Sequence, residues 1–133
     1  EVDAAPFLKR LERTRQAVDQ RLAPVRDRGY VSQHDPWAYF ARAFALERAL
    51  VASEAVAAGT SARRLVELAR TLAERDIDCV LAEPDARRAL LERLCQGDCR
   101  LMEVDPLGRA LTEAGYTDFL EHLGRRFRRC LAD

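Results

Sequence analysis

Four short β-prone runs, GYVSQH (29–34), RALVASEA (48–55), IDCVLAE (77–83) and CRLMEVD (99–105), are separated by segments in which apolar residues recur at helical spacing. This alternation constrains the fold more than any other feature of the chain. Strands joined through intervening helices need crossover connections, and these build a parallel sheet covered by helices on both faces. The cores of the runs, CVLA and ALVA, are apolar throughout, as strands buried on two sides require.

The helical segments follow from period and punctuation. Over 6–26, Pro6 stands in the first turn, and Phe7, Leu8, Leu11, Val18, Leu22 and Val25 recur at spacings of three, four and seven. PWAYFARAFALE (36–47) is a helix with Asp35 as its cap and Pro36 at its first position. GTSARRLVELARTLAERD (59–76) takes Thr60 or Ser61 as its cap and places Leu65, Leu68 and Leu72 on one face. PDARRALLERLCQG (84–97) stops at Gly97, and YTDFLEHLGRRFRRCLA (116–132) closes the chain. The expected fold is α/β: a single three-layer lobe with a four-stranded parallel sheet flanked by helices, residues 1–133 forming one domain of ordinary length.

Charge and hydropathy exclude whole classes of partner. Lys plus Arg and Asp plus Glu number 22 each, so no net field attracts a polyanion, and nucleic acid is not an expected partner. No apolar run approaches the roughly 18 residues of a membrane span. RRFRR (125–129) lies on the last amphipathic helix and reads as a solvated face, with a docking patch as the alternative. The opening EVDAAPFLKR has neither a basic start nor an apolar stretch, so the chain reads as a mature or excised form without a signal peptide.

Four cysteines, Cys79, Cys95, Cys99 and Cys130, permit two disulfides in three connectivities. CQGDC has the spacing C-x3-C and lacks the C-x2-C pairing of common zinc sites.

In an open parallel sheet, ligands bind outside the carboxyl ends of the strands. Here those ends carry His34-Asp35, Glu54, Glu83 and Asp105. Imidazole with carboxylates is a donor set suited to zinc or manganese. A carboxylate after a strand also caps the following helix, and Asp35 before Pro36 and Glu83 before Pro84 fit that role equally. His122, inside the last helix among charged residues, is a poor candidate ligand. No G-x-S-x-G elbow, phosphate-binding glycine loop or G-x-G-x-x-G is present.

The motifs HD-x-x-x-YF, C-V-x-AEP and DPLG occur in this order within LAPVRDRGYVSQHDPWAYFARAFAL, IDCVLAEPDARRALLERL and VDPLG, followed by YTDFLEHLGRRFRRCLAD. Together they resemble the C-terminal lobe of the zinc-specific periplasmic solute-binding proteins of metal ABC transporters, over nearly the whole chain. The resemblance implies a receptor in which two α/β lobes hold Zn2+ or Mn2+ in the cleft between them and deliver it to a membrane permease. It implies His34 and Asp105 as metal ligands, Glu83 as a group orienting a ligand by hydrogen bonding, and Cys79–Cys130 as a disulfide. That bond closes a loop of about 50 residues, worth roughly 4 kcal/mol in the chain-entropy model, and belongs to an oxidising compartment such as the periplasm or the extracellular space. Cys95 and Cys99 are left over, and a local disulfide around Gly97 is the expectation for them.

The first lobe of that family, with its histidine ligands, has no counterpart here, so the expectation is half a cleft. HDPWAYF places proline and tryptophan where the family has a small residue and an aromatic one, and SEAVAAGTSARR lacks the family's proline-rich acidic segment. Two protein ligands are fewer than the three of catalytic zinc sites, so weak metal binding by this chain alone is expected unless a second copy supplies donors. Trp37 and Tyr39 are expected to be exposed where the other lobe would sit. The alternative is a free-standing lobe acting as an interaction module or homodimer. A hydrolytic metalloenzyme, with Glu83 or Asp105 as base, lacks a third ligand, so no enzyme activity is expected.

Overall fold

The computed structural model describes residues 4–53, 61–108 and 115–132. Helix α1 (Ala5–Leu22) runs into a 3-10 turn (Ala23–Val25), followed by β1 (Val31–Ser32), α2 (Ala38–Ala43), β2 (Leu50–Val51), α3 (Ser61–Glu74), β3 (Cys79–Ala82), α4 (Arg88–Leu94), β4 (Arg100–Glu103) and α5 (Tyr116–Leu131). The strands form one parallel sheet in the order β2-β1-β3-β4. The expected α/β fold and parallel sheet are therefore present. Glu54 and Thr60 lie outside the described residues.

The elements are shorter than the periodicity predicts, for local reasons. Pro24 has no N–H, so the α1 ladder cannot continue, and the helix tightens to 3-10 geometry instead. The first two strands shrink to two residues each. Parallel pairing nevertheless reaches past them, Leu50 N–H donating to Tyr30 O at 3.0 Å and Ser53 N–H to Gln33 O at 2.9 Å. Helix α4 starts only at Arg88 because Pro84 and Asp85 are taken up in a turn closed by Ala86 N–H on Glu83 O at 2.9 Å.

Helix α2 corrects two expectations. Asp35 does not cap it and Pro36 is not its first residue: the residue before the helix is Trp37, which makes no side-chain cap bond. Asp35 instead lies 3.7 Å from Arg48 Nε. Trp37 is 2% exposed, not open to solvent as expected, because its indole packs edge-on against Phe127 at 5.5 Å between centroids. Tyr39, 79% exposed, is where the sequence places it.

Side chains alternate between the two sheet faces with the period of two that a strand dictates. Cys79 and Leu81, with Tyr30 ahead of β1, enter one core with Val18 and Leu22 of α1, Phe40 of α2, and Leu120, Leu123 and Phe127 of α5. Val31, Val80 and Ala82 enter the other, with Leu72 of α3 and Leu91 and Leu94 of α4. Phe127 is the hub of the first core, its ring 5.5 Å from Tyr30 and 4.9 Å from Phe40. Helices α1 and α5 approach closely at Gly124, where a Cβ would stand 3.1 Å from Val18 Cγ1.

Cys79 is bonded to Cys130, their Cα atoms 5.2 Å apart, tying β3 to α5 inside this core. Cys95 is bonded to Cys99. The Arg100 guanidinium donates to Cys130 O at 3.0 and 2.8 Å and to Asp78 Oδ1 at 2.9 Å. A cation thereby meets the carbonyl end of α5, where helix C-termini favour positive charge. Three of the four arginines of the RRFRR run have partners in their own chain: Arg126 donates to Glu103 O at 2.6 Å, Arg128 to Arg21 O at 2.9 Å, and Arg125 lies 3.9 Å from Glu121.

Candidate metal site

Because β1, β3 and β4 are adjacent and parallel, the residues that follow them share the carboxyl edge of the sheet. His34 stands just beyond Ser32, Glu83 directly after Ala82, and Asp105 just beyond Glu103. His34 Nδ1 lies 3.5 Å from Glu83 Oε1, the imidazole 58% exposed and the carboxyl group 15% exposed. No hydrogen-bond donor reaches buried Glu83 Oε1 among the described residues. The carboxylate thus faces the Nδ1 side of the imidazole, and Nε2 lies on the other side of the ring.

Asp105 is shaped by its own turn. Its Oδ1 accepts from Leu107 N–H at 2.9 Å and its main-chain oxygen from Gly108 N–H at 3.1 Å. Gly108 has φ of +59°, and a Cβ there would stand 2.9 Å from Phe119 Cδ1. A side chain at that position is therefore strained both by backbone conformation and by the ring above it.

Gln33 is a residue that the sequence reading passes over. It is buried, its side-chain oxygen accepts from Arg87 N–H at 2.5 Å, and its main-chain oxygen accepts from Ser53 N–H. It ties the segments that follow β2 and β3 to the end of β1, immediately before His34. The signal available in the sequence is a polar pair, Ser32-Gln33, in a β-prone run immediately before His34.

Not all the candidates meet. Among the described residues, no three His, Cys, Asp or Glu side chains converge in a geometry able to hold a metal ion. His122 is on α5, where partial burial first, then Arg126 and Arg125, hold its imidazole below the usual histidine range. Asp35 retains a buried Oδ1 without a hydrogen-bond partner. An apolar groove of about 300 Å³ adjoins the edge, lined by Pro36 and Tyr39 after the His34-Asp35 pair and by Pro106 after Asp105.

The family model described as zinc-uptake complex component A, periplasmic (ZnuA), matches residues 1–130. The chain belongs to the ZnuA family. The high-affinity zinc uptake system protein ZnuA of Haemophilus ducreyi is 28% identical over 132 residues, 96% of this chain and 42% of the relative. ZnuA of Yersinia pestis is 32% identical over 113 residues, 83% of this chain and 36% of the relative. A crystal structure of a 138-173 deletion mutant of ZnuA with zinc bound matches at a TM-score of 0.72 and 25% identity, over 97% of this chain and 47% of that one. The chain spans less than half the length of these ZnuA relatives. No helix among the described residues is long and apolar enough to cross a membrane.

Proposed function

We propose that residues 1–133 form one metal-binding lobe of a zinc-uptake solute-binding protein, with His34 and Asp105 as its ligands. The observation that carries this reading is His34 set against the largely buried Glu83 carboxylate, on the sheet edge that also bears Asp105. Glu83 orients the imidazole from the Nδ1 side, and His34 Nε2 meets the cargo ion. Asp105, with Oδ1 already held by Leu107 N–H, adds a carboxylate. An imidazole donor favours Zn2+ over Mn2+, which prefers oxygen.

Two ligands make half a site, so binding by this chain alone is weak and further donors complete the coordination. In this reading the lobe works in the periplasm, hands its ion to an ABC permease, and is a binding protein rather than an enzyme. Calorimetric titration with zinc tests it: wild type binds measurably and His34→Ala does not, whereas equal heats from the two would overturn the assignment.

A second reading rests on exposed apolar side chains. Tyr39, Leu107 and Tyr116 are largely exposed near the groove, and they suit an interaction module whose partner is a second copy of the chain. Light scattering of the metal-free protein supports this reading if it returns a dimer and removes it if it returns a monomer.

A further inference from the structure

The two disulfides differ in the properties that govern exchange. Cys79 and Cys130 are separated by 51 positions and fully buried. Cys95 and Cys99 are separated by 4, each is partly exposed, and the residues between them, Gln96, Gly97 and Asp98, are exposed. Both line a cavity of about 730 Å³ together with Asp76 and Asp78. The cavity lies where the chain enters β3 and β4, at the sheet edge opposite His34, so the proposed metal site makes no use of it.

The turn that this second disulfide closes is also closed by its backbone. Gly97 N–H donates to Glu92 O at 3.2 Å, Gln96 N–H to Arg93 O at 3.2 Å, and Asp98 N–H to Cys95 O at 3.0 Å. Gln96 and Gly97 take positive φ, 53° and 78°, which ends α4, and Arg100 N–H then begins the β4 pairing on Asp78 O at 2.6 Å. Opening a bridge over so short a loop returns far less entropy to the unfolded chain than opening one over 51 positions. The fold therefore does not need Cys95–Cys99 to hold this turn, and two thiols released there stay in register to reform the bond.

We propose that Cys95–Cys99 is a thiol–disulfide exchange site whose substrate is a dithiol reductant. A thiolate of the dithiol attacks one of the two sulfurs. The S–S bond breaks, the other cysteine leaves as a thiolate and takes up a proton, and a mixed disulfide remains. The second thiol of the reductant, deprotonated, then attacks its own bridged sulfur and releases the remaining cysteine. The dithiol ends as a disulfide and Cys95 and Cys99 as two thiols, two electrons and two protons having passed between them. Cys79–Cys130 stays closed because no thiolate reaches its buried sulfurs.

The test treats the 133-residue chain with graded dithiothreitol under native conditions, traps thiols with iodoacetamide, and reads each cysteine by peptide mass while circular dichroism follows the fold. Labelling of Cys95 and Cys99 at least about tenfold faster than Cys79 and Cys130, with the spectrum unchanged, is the expected result. Cys95→Ser/Cys99→Ser is expected to fold and to show no labelling in that range. Four thiols appearing together as the spectrum collapses, Cys79 and Cys130 appearing first, or no thiol before denaturant is added would each overturn the proposal.

Discussion

His34 Nδ1 and Glu83 Oε1 stand 3.5 Å apart, an exposed imidazole against a largely buried carboxylate, brought together because β1 and β3 are adjacent in the sheet. Glu83→Gln keeps the shape of the side chain and removes the carboxylate beside His34 that the proposed function uses to orient it. Zinc affinity is expected to fall about 10- to 100-fold by calorimetry, with the melting temperature held. Unchanged affinity would show that Glu83 does not act through His34.

The turn that carries Asp105 depends on Gly108. Gly108→Ala places a Cβ in contact with the Phe119 ring at a positive φ, and is expected to cost about 1–3 kcal/mol in urea unfolding. It is also expected to weaken zinc binding, since the Gly108 N–H on Asp105 O is part of the same turn. Gly115→Ala, at φ −76° with nothing within 4 Å, is the control that adds a Cβ without a clash or a positive φ.

Phe127→Ala empties the centre of the first core. A loss of about 3–5 kcal/mol is expected from denaturant titration. Trp37 packs on that ring, so its emission should shift to the red in the folded variant.

Tyr30 yields a pH prediction. Burial first, then the Asp35 and Glu47 carboxylates, push its phenol well above the ordinary value of 10.0. The folded state keeps the proton after the unfolded chain has released it, so Tyr30's contribution is fully present below pH 10.0 and is lost as pH rises beyond it. Tyr30→Phe is expected to flatten that alkaline decline in melting temperature. The substitution should cost little at neutral pH, because the phenol oxygen has no hydrogen-bond partner among the described residues.

The order of elements was legible because helix and strand periods are local: a run such as CVLA between two amphipathic segments admits few other readings. Element ends were less so. Trp37 shows why: capping chemistry assigns Asp35-Pro36 to a helix start, yet the indole is drawn onto Phe127, and the helix begins only after it. Gln33 was missed for a related reason, since its partner, Arg87 N–H, is distant in sequence.

The sequence by itself determined the alternation of elements, the parallel sheet and the placing of His34, Glu83 and Asp105 at strand ends, because side-chain period, Pro and Gly act over a few residues. The tertiary structure alone decided which of these met. Strand order set Glu83 beside His34, the packing of α5 buried Trp37 and one disulfide, and the turn after α4 left the other within reach of solvent, because contacts between distant segments follow from how the layers pack.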